Sequence, residues 1–262
     1  MKNVKIFILC AGEGRRLRPY TENQPKCLVS YLGKPLLQYQ LEVFKQFNLE
    51  NITLIGGYHS DALPQQYPVV VNKEFATTNM LYSLFCAEDH MTDDGDIIIS
   101  YGDIIYHASV LEELLQSKEP CSIVTDIDWR HYWQSRMDAP LKDAETFHWD
   151  TQTRQIFELG KKPKTLEDIQ GQYIGLFKIA SMHVKAFKQH YEMFKNSHLN
   201  YKNAYMTDFL QYLIEQNFPV FGVPIQNHWA EFDTVKDLKV RLAWVLELIR
   251  NFLLRGSSFY SL

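Results

Sequence analysis

The sequence predicts an α/β fold with a doubly wound, mostly parallel sheet and a small antiparallel insertion. Three observations support this prediction. Between residues 4 and 128, short apolar runs alternate with segments of helical period, as expected where helices cross between parallel strands. Two of these runs end at polar turns that contain glycine. From Trp129 to Ile169 the chain is polar and aromatic without a clear helical period, which indicates an insertion with short antiparallel strands that acts as a lid.

The first half of the chain is predicted to contain five strands and three helices. The strands are short runs rich in Ile and Val, the pattern of strands buried on both faces. Pro35 occupies the first turn of the first helix, where a backbone N–H would have no partner within the helix. Thr77 or Thr78 is expected to cap the second helix. The predicted strands are Val4–Cys10, Ile52–Ile55, Val69–Val71, Ile97–Ser100 and Cys121–Asp128, and the helices are Pro35–Phe47, Asn79–His90 and one around Leu111–Leu115.

The second half is predicted to complete the same sheet and to end in an apolar helix. No internal repeat and no low-complexity linker interrupts the chain, so we expect one domain over residues 1–262. The predicted strands are Gln172–Ile179 and Val220–Pro224, and the helices are Ser181–Asn196, Asn203–Gln216 and a C-terminal helix at about 235–254.

Composition and charge exclude several classes of protein. Apolar residues make up 46% of the 262, so a disordered chain is excluded. Lys and Arg number 27 against 31 Asp and Glu, a net charge of −4, which argues against nucleic-acid binding because phosphate contacts need a basic surface. No apolar run approaches the ~20 residues of a membrane span and no secretory signal precedes the first strand, so we expect a cytoplasmic protein. Cys10 and Cys121 lie in apolar runs and are expected to be buried free thiols.

The loop after the first strand carries two glycines and a group of basic residues. Gly12 and Gly14 would let a phosphate approach the backbone N–H groups closely. The loop is not the dinucleotide-binding fingerprint, since position 17 is Leu, and it is not a P-loop, since Gly-Lys-Ser/Thr is absent. Two glycines alone fit a simple turn as well as an anion site. Four nearby cationic side chains favour the anion site: Arg15, Arg16, Arg18 and Lys26.

The sequence around this loop resembles the opening motif of the sugar-nucleotidyltransferase family. The matching residues are Leu9, Ala11, Gly12, Gly14, Arg16, Leu17, Pro19, Thr21, Pro25, Lys26, Leu28 and Gly33–Leu36. Later segments resemble the cytidylyltransferase branch of that family: Thr78–Cys86, Gly102–Asp103, Glu158–Lys162, Gln172–Leu176, Tyr205–Asp208 and Trp229–Thr234. The segment from Trp129 to Thr146 is most similar to members that act on phosphoglutamine, and less similar to those that act on phosphocholine. The resemblance implies a Rossmann-like fold.

The resemblance also implies a nucleotidyl transfer that depends on Mg²⁺. A phosphate oxygen of the acceptor would attack the α-phosphorus of CTP and pyrophosphate would leave, so the protein must position two anions and offset their charge. Asp103 and Asp233 are the implied metal ligands, Lys26 contacts the α-phosphate, and Arg16 contacts the leaving phosphates. Glu231 either binds a metal-bound water or is simply solvated. The implied nucleotide-binding residues are Leu9, Ala11, Gly12, Gly14, Arg15, Gly57, Tyr58 and Asn79.

An acceptor site is implied in and after the insertion, formed by Lys161, Glu145, Tyr173 and Trp129. Trp129, Trp133 and Trp149 either form an aromatic cage for a quaternary ammonium or belong to the core. The acceptor would be a small phosphorylated compound, phosphoglutamine-like or phosphocholine-like, used in capsule or surface-polysaccharide modification. Two alternatives remain open. One is a nucleotide-sugar pyrophosphorylase that uses a sugar 1-phosphate with UTP or dTTP, and the other is an inactive, nucleotide-binding regulatory subunit.

The predicted C-terminal helix is apolar on more than one face. One stripe at helical spacing faces the core: Leu238, Leu242, Val245, Ile249 and Phe252. Other apolar residues leave a second surface that one core does not cover, among them Val240, Trp244, Leu246, Leu248 and Leu253. We expect this second surface to contact another copy of the chain. The alternative is that the insertion covers it.

Overall fold

A seven-stranded sheet forms the centre of the protein. The structure is a computed structural model, and it describes residues 3–136, 141 and 144–246. The strands are β1 (Lys5–Leu9), β2 (Ser30–Tyr31), β3 (Lys34–Pro35), β4 (Ile52–Gly56), β5 (Val69–Val71), β6 (Ile97–Tyr101), β7 (Ile104–Tyr106), β8 (Cys121–Asp126), β9 (Phe147–Trp149), β10 (Ile156–Leu159), β11 (Gln172–Ile179), β12 (Val220–Ile225) and β13 (Trp229–Glu231). The α-helices are α1 (Leu36–Gln46), α2 (Met80–Phe85), α3 (Ala108–Gln116), α4 (Trp129–Arg136), α5 (Val184–Ser197) and α6 (Met206–Glu215), and a further helix begins at Ala243.

The strand order confirms the predicted doubly wound, mostly parallel sheet. The order is β12-β8-β11-β6-β1-β4-β5, and β11 runs antiparallel to both of its neighbours. From β1 the chain builds outward through β4 and β5, then returns to place β6 on the other side of β1. The direction of winding therefore reverses between β1 and β6. Ligands of doubly wound sheets bind at such a point, beyond the carboxyl ends of the strands.

The hydrophobic core lies in two layers, one on each face of the sheet. Alternate residues of β1 supply both layers, because Phe7 joins one cluster while Ile6 and Ile8 join the other. Helices α2, α5 and α6 cover the Phe7 side, and α1, α3 and α4 cover the opposite side. The inner strands are buried on both faces, which explains why they appear in the sequence as continuous apolar runs, whereas the edge strand β5 is partly exposed.

Three small antiparallel ribbons lie outside the main sheet, and the shortest of them pairs β2 with β3. The β9–β10 ribbon lies in the insertion and confirms the predicted antiparallel strands there. The β7–β13 ribbon joins the segment after β6 to the segment near the C-terminus, with Ile104 opposite Glu231. Within the part of the chain that the structure describes, no helix is both long and apolar enough to cross a membrane.

The insertion also contains a helix that the sequence analysis missed. We predicted no helix between Trp129 and Ile169, but Trp129–Arg136 is helical. Its aromatic residues Trp129, Tyr132 and Trp133 are spaced by three and four residues, so they share one face. Trp129 and Trp133 are buried in the core layer that also contains Ile6 and Ile8. The periodic signal was present but was too short to separate from an irregular aromatic segment.

Three predicted helices begin or end at other residues. The helix predicted for Asn79–His90 ends at Phe85, and its cap is Asn79, whose Oδ1 accepts the Met80 N–H at 2.8 Å, rather than a threonine. Thr78 instead donates its hydroxyl to the Glu74 carbonyl at 2.9 Å. Short 3₁₀ turns precede the two later helices, which therefore begin at Val184 and Met206.

The C-terminal helix begins at Ala243, later than predicted. The reason is Tyr31, whose hydroxyl donates to the Val240 carbonyl at 2.7 Å and accepts the Leu242 N–H at 3.2 Å. A helix through these residues would need the same backbone groups. Val245 is fully buried, while residues 247–254 lie outside the described residues. The predicted oligomer contact through this helix therefore stays a prediction.

Thiol chemistry offers a first test of the fold. Cys10, Cys27 and Cys121 are buried and Cys86 is exposed. Burial raises the pKa of Cys121, and a hydrogen bond with Cys27, followed by burial, raises that of Cys10. Since the thiolate is the reactive form, we expect a single thiol to react rapidly with Ellman's reagent in the native protein, and the other three only after unfolding. The variant Cys86→Ser should lose the rapid phase, and a rapid phase that survives would contradict the packing of β1 and β8.

Candidate active site

The loop after β1 has the backbone freedom that its two glycines suggested. Gly14 has φ +61°, and a Cβ there would lie 3.0 Å from Cβ of Lys26 and 3.1 Å from Cγ2 of Thr21. Thr21 also donates its hydroxyl to the Gly14 carbonyl at 2.9 Å, which closes the loop on itself. At Gly12, by contrast, a Cβ would meet no heavy atom of the described residues within 4 Å. The loop is therefore tight at Gly14 and open toward solvent at Gly12.

A pocket of about 160 Å³ lies beyond the carboxyl ends of β1 and β6, where the winding reverses. Its lining residues are Leu9, Cys10, Ala11, Gly12, Lys26, Cys27, Phe75, Thr78, Asn79, Met80, Ser83, Tyr101, Gly102 and Asp103. Four of the eight nucleotide-binding residues expected from the sequence are among them: Leu9, Ala11, Gly12 and Asn79. Gly57 and Tyr58 do not line the pocket. They lie behind Ala11, which does line it, and the Tyr58 N–H donates to the Ala11 carbonyl at 3.1 Å. Arg15 lies on the surface, with Nε donating to Glu13 at 2.5 Å.

Lys26 lies between two carboxylates at one end of this pocket. Its Nζ donates to Oδ2 of Asp103 at 2.5 Å and also to Oδ1 of Asp233. Arg16 approaches the same Asp233 oxygen at 3.1 Å, and its side chain is 66% exposed. The side chains of Lys26 and both aspartates are largely buried. The fold thus brings together residues 16, 26, 103 and 233, as the motif resemblance implied.

The charges in this cluster stabilise one another. Burial alone would lower the pKa of Lys26, but the carboxylates of Asp103, Asp233 and Glu231 outweigh it and raise that pKa above its ordinary value. Burial would raise the pKa of Asp233, and the Lys26 ammonium outweighs it and lowers the pKa to about 2. Lys26 is therefore a cation and Asp233 an anion near neutral pH.

Pairing between β7 and β13 carries Asp233 to Asp103. Directly after β13, the Phe232 N–H donates to the Asp103 carbonyl at 3.0 Å. Asp237 then fixes the next turn, because its Oδ2 accepts the N–H groups of Asp233 (3.0 Å) and Thr234 (2.7 Å) and the Thr234 hydroxyl (3.0 Å). The sequence analysis did not single out Asp237, although Thr-x-x-Asp is a recognisable capping pattern.

The carboxylates of this cluster fit a divalent cation such as Mg²⁺. Oxygen atoms of Asp103, Glu231 and Asp233 all lie within 4.8 Å of one another. Oδ1 of Asp103 is buried, and no described group donates a hydrogen bond to it. A hard cation with oxygen ligands would satisfy that atom. Glu231, left open by the sequence, thereby belongs to the same donor set.

Two of the expected acceptor residues, Lys161 and Glu145, lie at or beside a second, larger cavity, and a third, Tyr173, lies near the first pocket. Lys161 lines a cavity of about 780 Å³, together with Thr207 and the segment from Ser197 to Tyr205. Its Nζ donates to Glu158 at 2.8 Å. The Thr207 hydroxyl donates to Oε1 of Glu145 at 3.2 Å. Tyr173 packs edge-on against the ring of Tyr101, which lines the first pocket, with 5.7 Å between ring centroids.

Trp129 does not join either cavity. It is 2% exposed, and its indole N–H donates to the Ile169 carbonyl at 3.2 Å. Trp133 and Trp149 are buried in the hydrophobic clusters as well. The three tryptophans belong to the core, the second of the two roles left open by the sequence, because helix α4 and strand β9 turn them inward.

Comparison with known proteins agrees with this geometry. A family model described as a MobA-like NTP transferase domain matches residues 6–173. A protein described as CTP:phosphoglutamine cytidylyltransferase from Campylobacter jejuni is 38% identical over 91% of this chain and 99% of its own length. The chain belongs to the MobA-like NTP transferase family. It is an enzyme of the nucleotidyltransferase class.

Further relatives support the assignment to this nucleotidyltransferase family. A choline-phosphate cytidylyltransferase from Streptococcus pneumoniae is 41% identical over 34% of this chain and 42% of its own length. Among solved structures, the inositol-1-phosphate CTP transferase from T. maritima matches with TM-score 0.72 and 20% identity over 94% of both chains. The CTP:phosphocholine cytidylyltransferase from S. pneumoniae matches with TM-score 0.69 and 21% identity, over 94% of this chain and 99% of that one. At such identities the two structures support the fold alone.

Proposed function

We propose that this nucleotidyltransferase transfers CMP from CTP to a small phosphorylated acceptor, with Mg²⁺ as cofactor and pyrophosphate as the second product. The observation that carries the proposal is the cluster of Lys26, Asp103 and Asp233 beside a pocket at the reversal point of the sheet. The choice of CTP is supported by the C. jejuni relative, which aligns along nearly its whole length. Capsule or surface-polysaccharide modification in the cytoplasm is the setting that the motif resemblance favours.

In the proposed reaction the protein acts through charge and position. An acceptor phosphate oxygen forms a bond to the α-phosphorus of CTP as the bond to the pyrophosphate oxygen breaks. The Lys26 ammonium offsets charge on the α-phosphate, where negative charge must be crowded in the transition state. The exposed Arg16 guanidinium holds the leaving pyrophosphate. Bound Mg²⁺, held by Asp103 and Asp233 with Glu231 beside them, would supply further neutralising charge.

The two cavities suggest separate places for donor and acceptor. Asn79 lines the first pocket, and its backbone N–H and side chain both bond to the segment that lines the second, through Lys202 O at 2.8 Å and Asn203 O at 3.3 Å. We assign the nucleotide to the first pocket, against the backbone of Ala11 and Gly12. We assign the acceptor to the region of Lys161, Glu145 and Tyr173. Trp129 has no part in this assignment because it lies in the core.

The donor and acceptor can be tested together by pyrophosphate release. We expect CTP to be preferred over UTP, dTTP and ATP, and phosphoglutamine to be used better than phosphocholine. The reason for the acceptor order is the long alignment with the C. jejuni relative, against a partial one with the choline-phosphate enzyme. The variant Lys26→Ala serves as the background control. A clear preference for a sugar 1-phosphate with UTP or dTTP would instead favour the pyrophosphorylase alternative, and no turnover with any pair would favour a regulatory subunit.

A further inference from the structure

Gln40 is a buried amide on the otherwise apolar inner face of helix α1. Its exposed fraction is 0%. Burial of an amide lowers stability unless its groups are hydrogen-bonded, and Leu or Met would fill a similar volume without that requirement. A need other than packing therefore explains a glutamine at this position. The other buried residues of α1 are Leu36, Leu37, Tyr39, Leu41, Val43 and Phe44.

The hydrogen bonds of the Gln40 amide all go to the segment that carries Asp103. Its Nε2 donates to the Tyr101 carbonyl at 2.8 Å and to the Ile104 carbonyl at 2.7 Å. Its Oε1 accepts the Ser100 hydroxyl at 2.8 Å. Tyr101 ends β6 and Ile104 begins β7, so one planar amide spans the turn at Gly102 and Asp103.

The same turn is held from two other sides. The Gly102 N–H donates to the Leu9 carbonyl at 2.9 Å, and a Cβ on Gly102 would lie 2.4 Å from that oxygen, so the turn packs directly on the end of β1. The Asp103 carbonyl accepts the Phe232 N–H. Gln40 supplies the third support, and it is the support that sets the distance between the two carbonyls flanking the turn.

The Asp103 carboxylate itself has little else to hold it. Oδ2 contacts the Lys26 ammonium, and Oδ1 has no partner among the described groups. Its position therefore depends on the backbone that carries it. We propose that Gln40 is a positioning residue that places the Asp103 carboxylate for metal and phosphate binding, an inference that rests on the function proposed above. Side chains that orient metal ligands in this way commonly affect metal affinity although they never touch the metal.

The substitution Gln40→Met tests this role, since methionine has a similar length and offers no N–H. It leaves the carbonyls of Tyr101 and Ile104 and the Ser100 hydroxyl without their partner, so the turn is free to shift. The probe is Mn²⁺ with the non-transferable analogue cytidine 5′-[α,β-methylene]triphosphate, followed by electron paramagnetic resonance. We expect Gln40→Met to weaken Mn²⁺ binding in this complex by ~10- to 100-fold and to lower kcat similarly, with KM for CTP changed by less than ~3-fold.

The matched control is Leu213→Ala, a fully buried residue of α6 on the opposite face of the sheet. It should lower Tm while leaving Mn²⁺ binding and kcat as in the wild type. A folded Gln40→Met variant with wild-type Mn²⁺ binding overturns the proposal, as does equal weakening in Leu213→Ala. If Gln40→Met does not fold, Ser100→Ala removes only the donor to Oε1 and should still weaken Mn²⁺ binding, and an unchanged affinity again overturns the proposal. If the wild-type enzyme with the analogue binds Mn²⁺ no more tightly than the analogue does alone, the proposed metal site itself is wrong.

Discussion

Replacing Asp103 or Asp233 by asparagine is expected to lower kcat by about 10³-fold, equivalent to about 4 kcal/mol of transition-state stabilisation. The amide keeps the shape of the side chain but removes the negative charge that would hold Mg²⁺, and with it the neutralisation of the phosphates. Each substitution leaves Lys26 one carboxylate partner, so the fold should persist. Circular dichroism and kcat on the same preparations check both expectations.

Asp94→Asn is a suitable control for this pair. Asp94 also forms an ion pair with a lysine, Lys5. It precedes β6, however, and so lies at the amino-terminal ends of the strands, opposite the candidate site. It should retain wild-type kcat. Turnover near the wild-type rate in the presence of EDTA would contradict the metal requirement itself. A tenfold or smaller loss in both active-site variants would show that the carboxylates serve mainly to hold Lys26.

The main sheet could be predicted because its signals are local. The inner parallel strands are buried on both faces and appear as short apolar runs, and the observed strands of the sheet differ from the predicted ones by at most two residues at either end. Helix α4 was missed because its periodic signal is short, and the predicted start of the C-terminal helix was wrong because it depends on a distant partner. The Tyr31 hydroxyl, over two hundred residues away, determines the backbone course at Val240 and Leu242.

The candidate site shows the same limit. The motif containing Lys26 identified a family, and the family resemblance pointed to Asp103 and Asp233. The support around them was not visible, since Gln40 is one polar residue on the buried face of an amphipathic helix and Asp237 is one acid in a short turn. Their hydrogen bonds run to segments that only the folded topology brings close.

Lys26→Ala is expected to lower kcat by ~10²- to 10³-fold, with a smaller rise in KM for CTP, because in the proposed reaction the ammonium contacts the α-phosphate most strongly as charge develops there. Steady-state kinetics with CTP as the varied substrate measure the two effects separately. The control is Lys5→Ala. It removes a lysine that is paired with a carboxylate at the amino-terminal ends of the strands, away from the candidate site, and should leave kcat unchanged. A change in KM alone would show that Lys26 binds only the ground-state triphosphate.

Lys26→Ala should also change metal binding, and in the opposite direction: the variant should bind a divalent cation more tightly although its kcat is lower. Its ammonium lies between Asp103 and Asp233, the carboxylates that would bind a divalent cation. Without it, two buried anions and Glu231 face one another, so the free energy of unfolding should fall. Mn²⁺ added without nucleotide should then raise the Tm of Lys26→Ala more than that of the wild type, because a ligand stabilises the folded state according to its affinity. A lower kcat together with stronger stabilisation by Mn²⁺ is expected only if the lysine and the cation share these carboxylates. An equal Tm shift in the wild type and in Lys26→Ala would show that the cation binds elsewhere.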